Sequence, residues 1–179
     1  MAEEKKEKWL NALAFTTVFI AVCATLATFK GSGYSTKSLM NQSRASDQWS
    51  FFQSKSIKSY IFEMQKNNLN LQKSLSNSSS KNKEFSEKYD SEIAKFTKKI
   101  EQYEKEKEEI KKAADDFELQ RDNCKKHSSA FGIAVIFLQI SILLSSISAL
   151  IKKKYIWYIG IGVGAAGVLF FFNGFFLFF

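Results

Sequence analysis

Three apolar runs frame a charged block of nearly a hundred residues, and this segregation leaves the chain very few ways to fold. A bilayer's hydrocarbon core takes about 20 helical residues to cross. Trp9–Phe29 (WLNALAFTTVFIAVCATLATF), Ser129–Ile151 (SAFGIAVIFLQISILLSSISALI) and Tyr155–Phe179 (YIWYIGIGVGAAGVLFFFNGFFLFF) all meet that length without one Asp, Glu, Lys, Arg or His. The first run exceeds the apolar stretch of a secretory signal, and TLATFKGSG is a poor cleavage site, so we read it as a retained anchor. Eighteen phenylalanines and no proline suit long uninterrupted helices in lipid.

These runs predict an all-α integral membrane protein with three transmembrane helices and a long antiparallel coiled-coil hairpin between the first and second. The expected divisions are a charged N-terminal segment (1–8), a first span (9–29), an extramembrane hairpin (30–127, turning near 76–82), a second span (128–151), a basic loop (152–154) and a third span (155–179). KGSGYST, residues 30–36, holds two glycines and a cluster of hydroxyls, which predicts a helix break with Ser35 or Thr36 capping a new helix.

Periodicity orders the block between the first two spans. In its first arm Ile57, Ile61, Met64, Asn68, Leu71 and Leu75 recur at four- and three-residue steps. In its second arm Tyr89, Ile93, Phe96, Ile100, Tyr103, Lys107, Ile110, Ala114, Phe117, Arg121 and Cys124 alternate those steps without a miss, the heptad seam of a coiled coil. The outer run EKEKEEIKK is a solvated face of alternating charge. Arms 36–75 and 82–127 are about 40 and 46 residues, on the order of 60–70 Å each. Folded back at residue 79, they match in length and return the chain to the membrane without slack.

The ring-rich stretch DQWSFFQSKSIKSYIFE, residues 47–63, has three places to bury itself: the hairpin's own core, a partner, or the lipid surface. The fold-back register favours the first. It sets Trp49 opposite residues near 109 and Phe52 opposite residues near 106, among Tyr103, Lys107 and Ile110. Lys107, the one charge in mid-seam, then meets Trp49 in a cation–π contact or snorkels past it. Lys55 and Lys58 complete the candidate hairpin core or interaction set.

Within the spans the polar residues are small. Ala130, Ala134, Ser141, Ser145 and Ser148 fall near one stripe, with Gln139 near mid-bilayer; Gly160, Gly164 and Gly167 form a second stripe continued by Gly174, with Asn173 nearby. Both read as helix-packing surfaces, with a pore lined by Gln139, Ser141 and Ser145 as the sharper alternative. The absence of ionisable residues there argues against a coupled transporter. The three lysines of the 152–154 loop place it and the N-terminus in the cytoplasm, with the hairpin outside. Lys30, Lys37, Arg44, Arg121, Lys125 and Lys126 on the hairpin side count against that orientation, but segments beyond about 60 residues weigh little in the rule.

Catalytic constellations are missing from the sequence. Its single histidine, His127, and two isolated cysteines, Cys23 and Cys124, make neither a triad nor a metal set. GIGVGAAG follows no strand, so its likeness to a phosphate loop is spurious. The net charge of +8 comes from lysines interleaved with glutamates, which does not make a nucleic-acid surface. No enzyme activity, cofactor or metal is expected.

Several stretches together resemble an uncharacterised family of bacterial membrane proteins catalogued as a domain of unknown function. They are KWLNALAFTTVFIAVCATLATFKG, ASDQWSFFQSKSIKSYIFE, KIEQYEKEKEEIKKAADDFELQRD and FGIAVIFLQISILLSSISAL, with Trp157 and the glycines of the last span. The most specific element is Trp-x-x-aromatic-Gln-x-Lys-Ser-x-Lys, Trp49 to Lys58. This chain departs from the family pattern at Phe52, where a tyrosine is usual, and at Ser54, where an alanine is. The resemblance implies an inner-membrane protein with three spans and brings no activity, cofactor or catalytic residue.

The function expected on these grounds is a structural one. Copies assemble through the glycine and serine stripes and through hairpins packed side by side, and the hairpin organises or binds another component. Lipid, further copies of the chain and an unidentified protein are the expected partners. A homo-oligomeric channel is the alternative of a different class, and an accessory subunit of a larger complex is a third. Tyr60, Phe62 and Phe85 do not all fit one two-helix seam, so apolar surface is left for neighbours.

Overall fold

The computed structural model describes the backbone of residues 2–76 and 83–178, and side chains across 8–75 and 86–178. Three helices account for nearly all of it: α1 (Ala2–Ser76), α2 (Lys83–Ile151) and α3 (Lys154–Phe176), with no strand among the described residues. Residues 77–82 of the expected turn, and the side chain of Phe85, lie outside the described residues. Each helix holds a window long and apolar enough to cross a membrane, with mean hydropathy of 2.1, 2.3 and 1.8 in chain order.

α1 does not break at KGSGYST. It runs unbroken through Gly31, Gly33, Ser35 and Thr36, so the expected cap at Ser35 or Thr36 is not used. A glycine inside a helix costs roughly 1 kcal/mol relative to alanine, and packing accounts for one of the two. A Cβ on Gly31 would sit 3.1 Å from the Cβ of Phe131, and the Gly31 carbonyl accepts a hydrogen bond from Ser128 Oγ at 3.1 Å. Gly31 is a close-approach residue in a helix that continues. Gly33 meets nothing.

The chain divides into two compact units, one of Met1–Met40 with Gln120–Phe179, the other of Asn41–Leu119. The first unit holds α3 and the adjoining apolar parts of α1 and α2. One core cluster joins Ile20, Cys23, Ala24 and Leu138, flanked by Ile142 and Val168. Another joins Trp9, Leu13 and Trp157, and the Trp157 indole donates to Thr16 Oγ1 at 3.1 Å. The α2–α3 connection is tight. Lys152 takes a left-handed φ of 57°, and Ser148 Oγ donates to the Lys153 carbonyl at 2.8 Å.

The second unit is a pair of helical segments of α1 and α2. Every expected seam residue of α2 inside it, from Tyr89 through Ile93, Phe96, Ile100, Tyr103, Lys107 and Ile110 to Phe117, is partly buried, and Ala114 is fully buried. The partner face of α1 is another matter. It is made by Ala45, Trp49, Phe52, Lys55, Ser59, Phe62, Lys66, Leu69 and Lys73, all buried or half-buried. The regular stripe of Ile57, Ile61, Met64, Asn68, Leu71 and Leu75 lies on the opposite side of the helix and is exposed throughout.

Candidate functional site

Two helices in contact can bury only narrow side chains completely, and among the described residues of the second unit the most deeply buried are Ala45, Ser59 and Ala114. Wider residues are left half-buried or, like Arg44, exposed along both edges. There they form a ladder of cations laid on rings. Arg44 sits 5.8 Å over Phe117, Lys107 5.5 Å over Phe52, and Lys55 5.3 Å over Tyr103. Phe62 bridges the helices, 5.6 Å from Phe96 and 5.8 Å from Tyr103. Such contacts contribute about 0.5–1 kcal/mol where exposed, as at Arg44, and up to about 2 kcal/mol where desolvated.

Carboxylates on α2 close the edges. Ser59 Oγ donates to Glu104 Oε1 at 2.9 Å, and Lys107 Nζ donates to both oxygens of Glu104 at 2.9 and 3.0 Å. Lys55 pairs with Glu106, and Lys73 with Asp90. The Lys107 ammonium, with the Ser59 hydroxyl, holds the Glu104 carboxyl below its ordinary value of 4.5. Lys55, with Gln102, does the same for Glu106.

Sequence-based expectations meet this geometry as follows. The fold-back register brings Phe52 to Lys107, close to the expected 106, while the Trp49 side chain reaches further along α2. Its indole donates to Glu118 Oε1 at 2.9 Å, and its ring stands edge-on to Phe52, 5.5 Å away. Lys107 is therefore met by Phe52 rather than Trp49. The reason is reach: Phe52 occupies the position nearest Lys107, while the longer indole extends along α2 to a charged acceptor. Lys55, Tyr103 and Ile110 lie in the seam, whereas Lys58 is exposed. Glu104, Glu106 and Glu118 belong to the site too, though the sequence presents them as solvated charge. The available signal was that each lies three or four positions from seam residues, Glu104 from Ile100 and Lys107, Glu106 from Tyr103 and Ile110, and Glu118 from Ala114 and Arg121.

In the first unit the small-residue stripes meet each other. Ser141 Oγ donates to the Gly160 carbonyl at 2.6 Å. A Cβ on Gly164 would fall 2.7 Å from that same hydroxyl, one on Gly167 2.8 Å from Leu138 Cγ, and one on Gly174 2.8 Å from the Phe131 ring. Only glycine permits this approach. Ser145 and Ser148 are buried beside them and Asn173 is buried near the end of α3, while Gln139 lies on the exposed face. At that end Leu177, at φ 51°, returns its N–H to the Asn173 carbonyl. His127 Nδ1 lies 2.8 Å from the Gly174 carbonyl, which only accepts, so that nitrogen donates. Its ring stacks on Tyr34 at 4.5 Å. His127 thus satisfies a terminal carbonyl of α3 that has no partner within the helix.

Among the described residues no three His, Cys, Asp or Glu side chains gather as metal ligands. A family described as Domain of unknown function (DUF4337) matches residues 9–177. No curated protein and no solved structure matches the chain.

Proposed function

The chain belongs to the DUF4337 family, and we propose that it is a non-enzymatic membrane scaffold, anchored by its three apolar helical segments and presenting a helical hairpin that organises or binds another component. The observation that carries this reading is the outward surface of the first unit. Phe15 is 79% exposed, Leu150 83% and Leu169 66%, with Phe19, Leu143 and Phe176 close behind. Water does not tolerate so continuous an apolar surface, and lipid covers it without cost. On this reading the membrane is the bacterial inner membrane, with the N-terminus and the 152–154 loop cytoplasmic and the hairpin outside. Extraction at alkaline pH tests the anchoring, and protease accessibility of the hairpin in sealed vesicles tests the orientation. Release from the membrane at high pH would end the scaffold reading.

The small-residue stripes support an intrachain role. Glycines 160, 164 and 167 are occupied by α1 and α2 of the same chain, which leaves the hairpin as the surface for neighbours. The channel reading has less behind it, because Gln139 and Ser141 do not share a face: one is exposed and the other is bonded to Gly160. Cysteines placed at 139, 141 and 145 separate the two. Protection of 141 and 145 from aqueous thiol reagents fits packing, and modification of all three would favour a water-filled axis.

A further inference from the structure

The exposed stripe on α1 of the second unit has the spacing of a coiled-coil seam and meets no partner among the described residues. Ile57 is 59% exposed, Tyr60 65%, Ile61 44%, Met64 63%, Leu71 64% and Leu75 69%. They lie on the side of α1 opposite Ser59, Phe62, Lys66 and Lys73, so α2 cannot cover them. The steps from 57 to 75 run four, three, four, three, four. That assigns Ile61, Asn68 and Leu75 to the a positions of a heptad and Ile57, Met64 and Leu71 to the d positions.

We propose that this stripe pairs, parallel and in register, with the same stripe of a second copy. The inference rests on the scaffold reading above, because two copies anchored in one membrane present α1 in the same direction. Three features fit this occupant. A lone Asn at an a position is tolerated when it meets its own symmetry mate, and it then fixes register and two-strandedness. The flanking positions are Lys58, Gln65 and Gln72 on one side and Gln53, Tyr60, Asn67 and Ser74 on the other. In a parallel pair these meet as amides, a phenol and a single lysine, with no like charges opposed. The outer face of α2, by contrast, is studded with Lys and Glu, as a solvated surface should be. The area also suffices. Six apolar side chains this exposed offer roughly 700 Å² per copy, so a symmetric pair covers on the order of 1,200 Å², the lower bound for a specific interface. A two-fold pair is closed, since each stripe is used by the other.

The test uses the full chain in native membranes with Cys23→Ala and Cys124→Ala, then single cysteines along α1. Ile57→Cys, Met64→Cys and Leu71→Cys should each form a copy-to-copy disulfide under mild oxidation, whereas Glu63→Cys and Asn70→Cys, off the stripe, should not. Purified wild-type protein should have the mass of two chains in detergent. Met64→Glu should return it to one chain with unchanged helical content and lose the Ile57→Cys and Leu71→Cys cross-links. Asn68→Leu should keep the pairing but admit higher oligomers. Cross-linking at only one position would overturn the parallel register. A membrane-integrated monomer with no cross-link would overturn the pairing and leave the scaffold reading standing, while a chain released at alkaline pH would remove the scaffold reading instead. Cross-links solely to another protein would also overturn the proposal.

Discussion

Adding one methyl group to Gly167 tests a close contact between α3 and α2 that includes backbone. Its Cβ would lie 2.8 Å from Leu138 Cγ, 2.9 Å from Leu138 Cδ2 and 3.0 Å from the Leu138 backbone nitrogen. Carbon atoms in comfortable contact are about 3.5–4.0 Å apart, so the overlap is roughly 0.5–1 Å. Leu138 is fully buried in the cluster with Ile20, Cys23 and Ala24, so it has no empty space to swing into. Because the third clash is with backbone, a new rotamer would not relieve it and α2 and α3 must separate. Overpacking of this kind costs about 1–3 kcal/mol. Against it, alanine improves on glycine by about 0.8–1 kcal/mol in a helix, which leaves Gly167→Ala destabilised by about 0–2 kcal/mol.

Gly162 supplies the control. It lies in the same helix, and a Cβ there meets nothing. Gly162→Ala should therefore keep the whole propensity gain, separating the two variants by about 1–3 kcal/mol. For a chain of this size roughly 2–4 °C in Tm accompanies each kcal/mol. Thermal unfolding in detergent, followed by tryptophan fluorescence, should place Gly167→Ala several degrees below Gly162→Ala, with Gly167→Leu lower still. Equal stabilisation by both alanines would refute the argument, since it would mean that α3 does not approach α2 at Leu138.

Further outcomes follow from the same contacts. Because Glu104 and Glu106 have folded-state pKa values below their unfolded ones, their contribution is complete above about 4.5 and is lost as pH falls through the folded values. The helical signal of the hairpin should thus melt at lower temperature in acid, and Glu104→Gln with Glu106→Gln should flatten that dependence. Trp49→Phe keeps a ring beside Phe52 but abandons the bond to Glu118, and should lower stability by about 1 kcal/mol in chemical unfolding. Lys152→Gly relieves a left-handed residue, worth about 1 kcal/mol, and should raise Tm. His127→Ala removes the donor to the Gly174 carbonyl and the stacking on Tyr34, and should speed hydrogen exchange in the last turn of α3.

The α2 seam could be read from the sequence because apolar residues fall at every a and d position except Lys107 and Arg121, and a helix facing one partner needs little more. The small-residue stripes were visible for a similar reason: Ser141, Gly160, Gly164 and Gly167 are the residue types that let helices approach closely. What hid from inspection was pairing that depends on the neighbour. Nothing at Ser128 or Gly31 announces that KGSGYST continues a helix, because the compensation comes from Phe131, a hundred residues away in the chain.

The inner face of α1 was obscured by the same cause in a stronger form. By hydropathy the stripe of Ile57, Ile61, Met64, Leu71 and Leu75 is the better candidate to face α2, yet α2 carries Asp90, Glu104, Glu106 and Glu118 along the edges of its seam. A face of isoleucine and leucine would offer those carboxylates no partner on α1. The face bearing Lys55, Ser59, Lys73 and Trp49 satisfies all four and still delivers Phe52 to Lys107 and Phe62 to the rings of Phe96 and Tyr103. Burial alone therefore ranks the two faces wrongly, and complementarity reverses the order. The rejected face keeps its heptad spacing, and that regularity has no use in a single copy. On the pairing proposed above, two seams on opposite sides of one helix serve two partners, α2 of the same chain and α1 of a second copy.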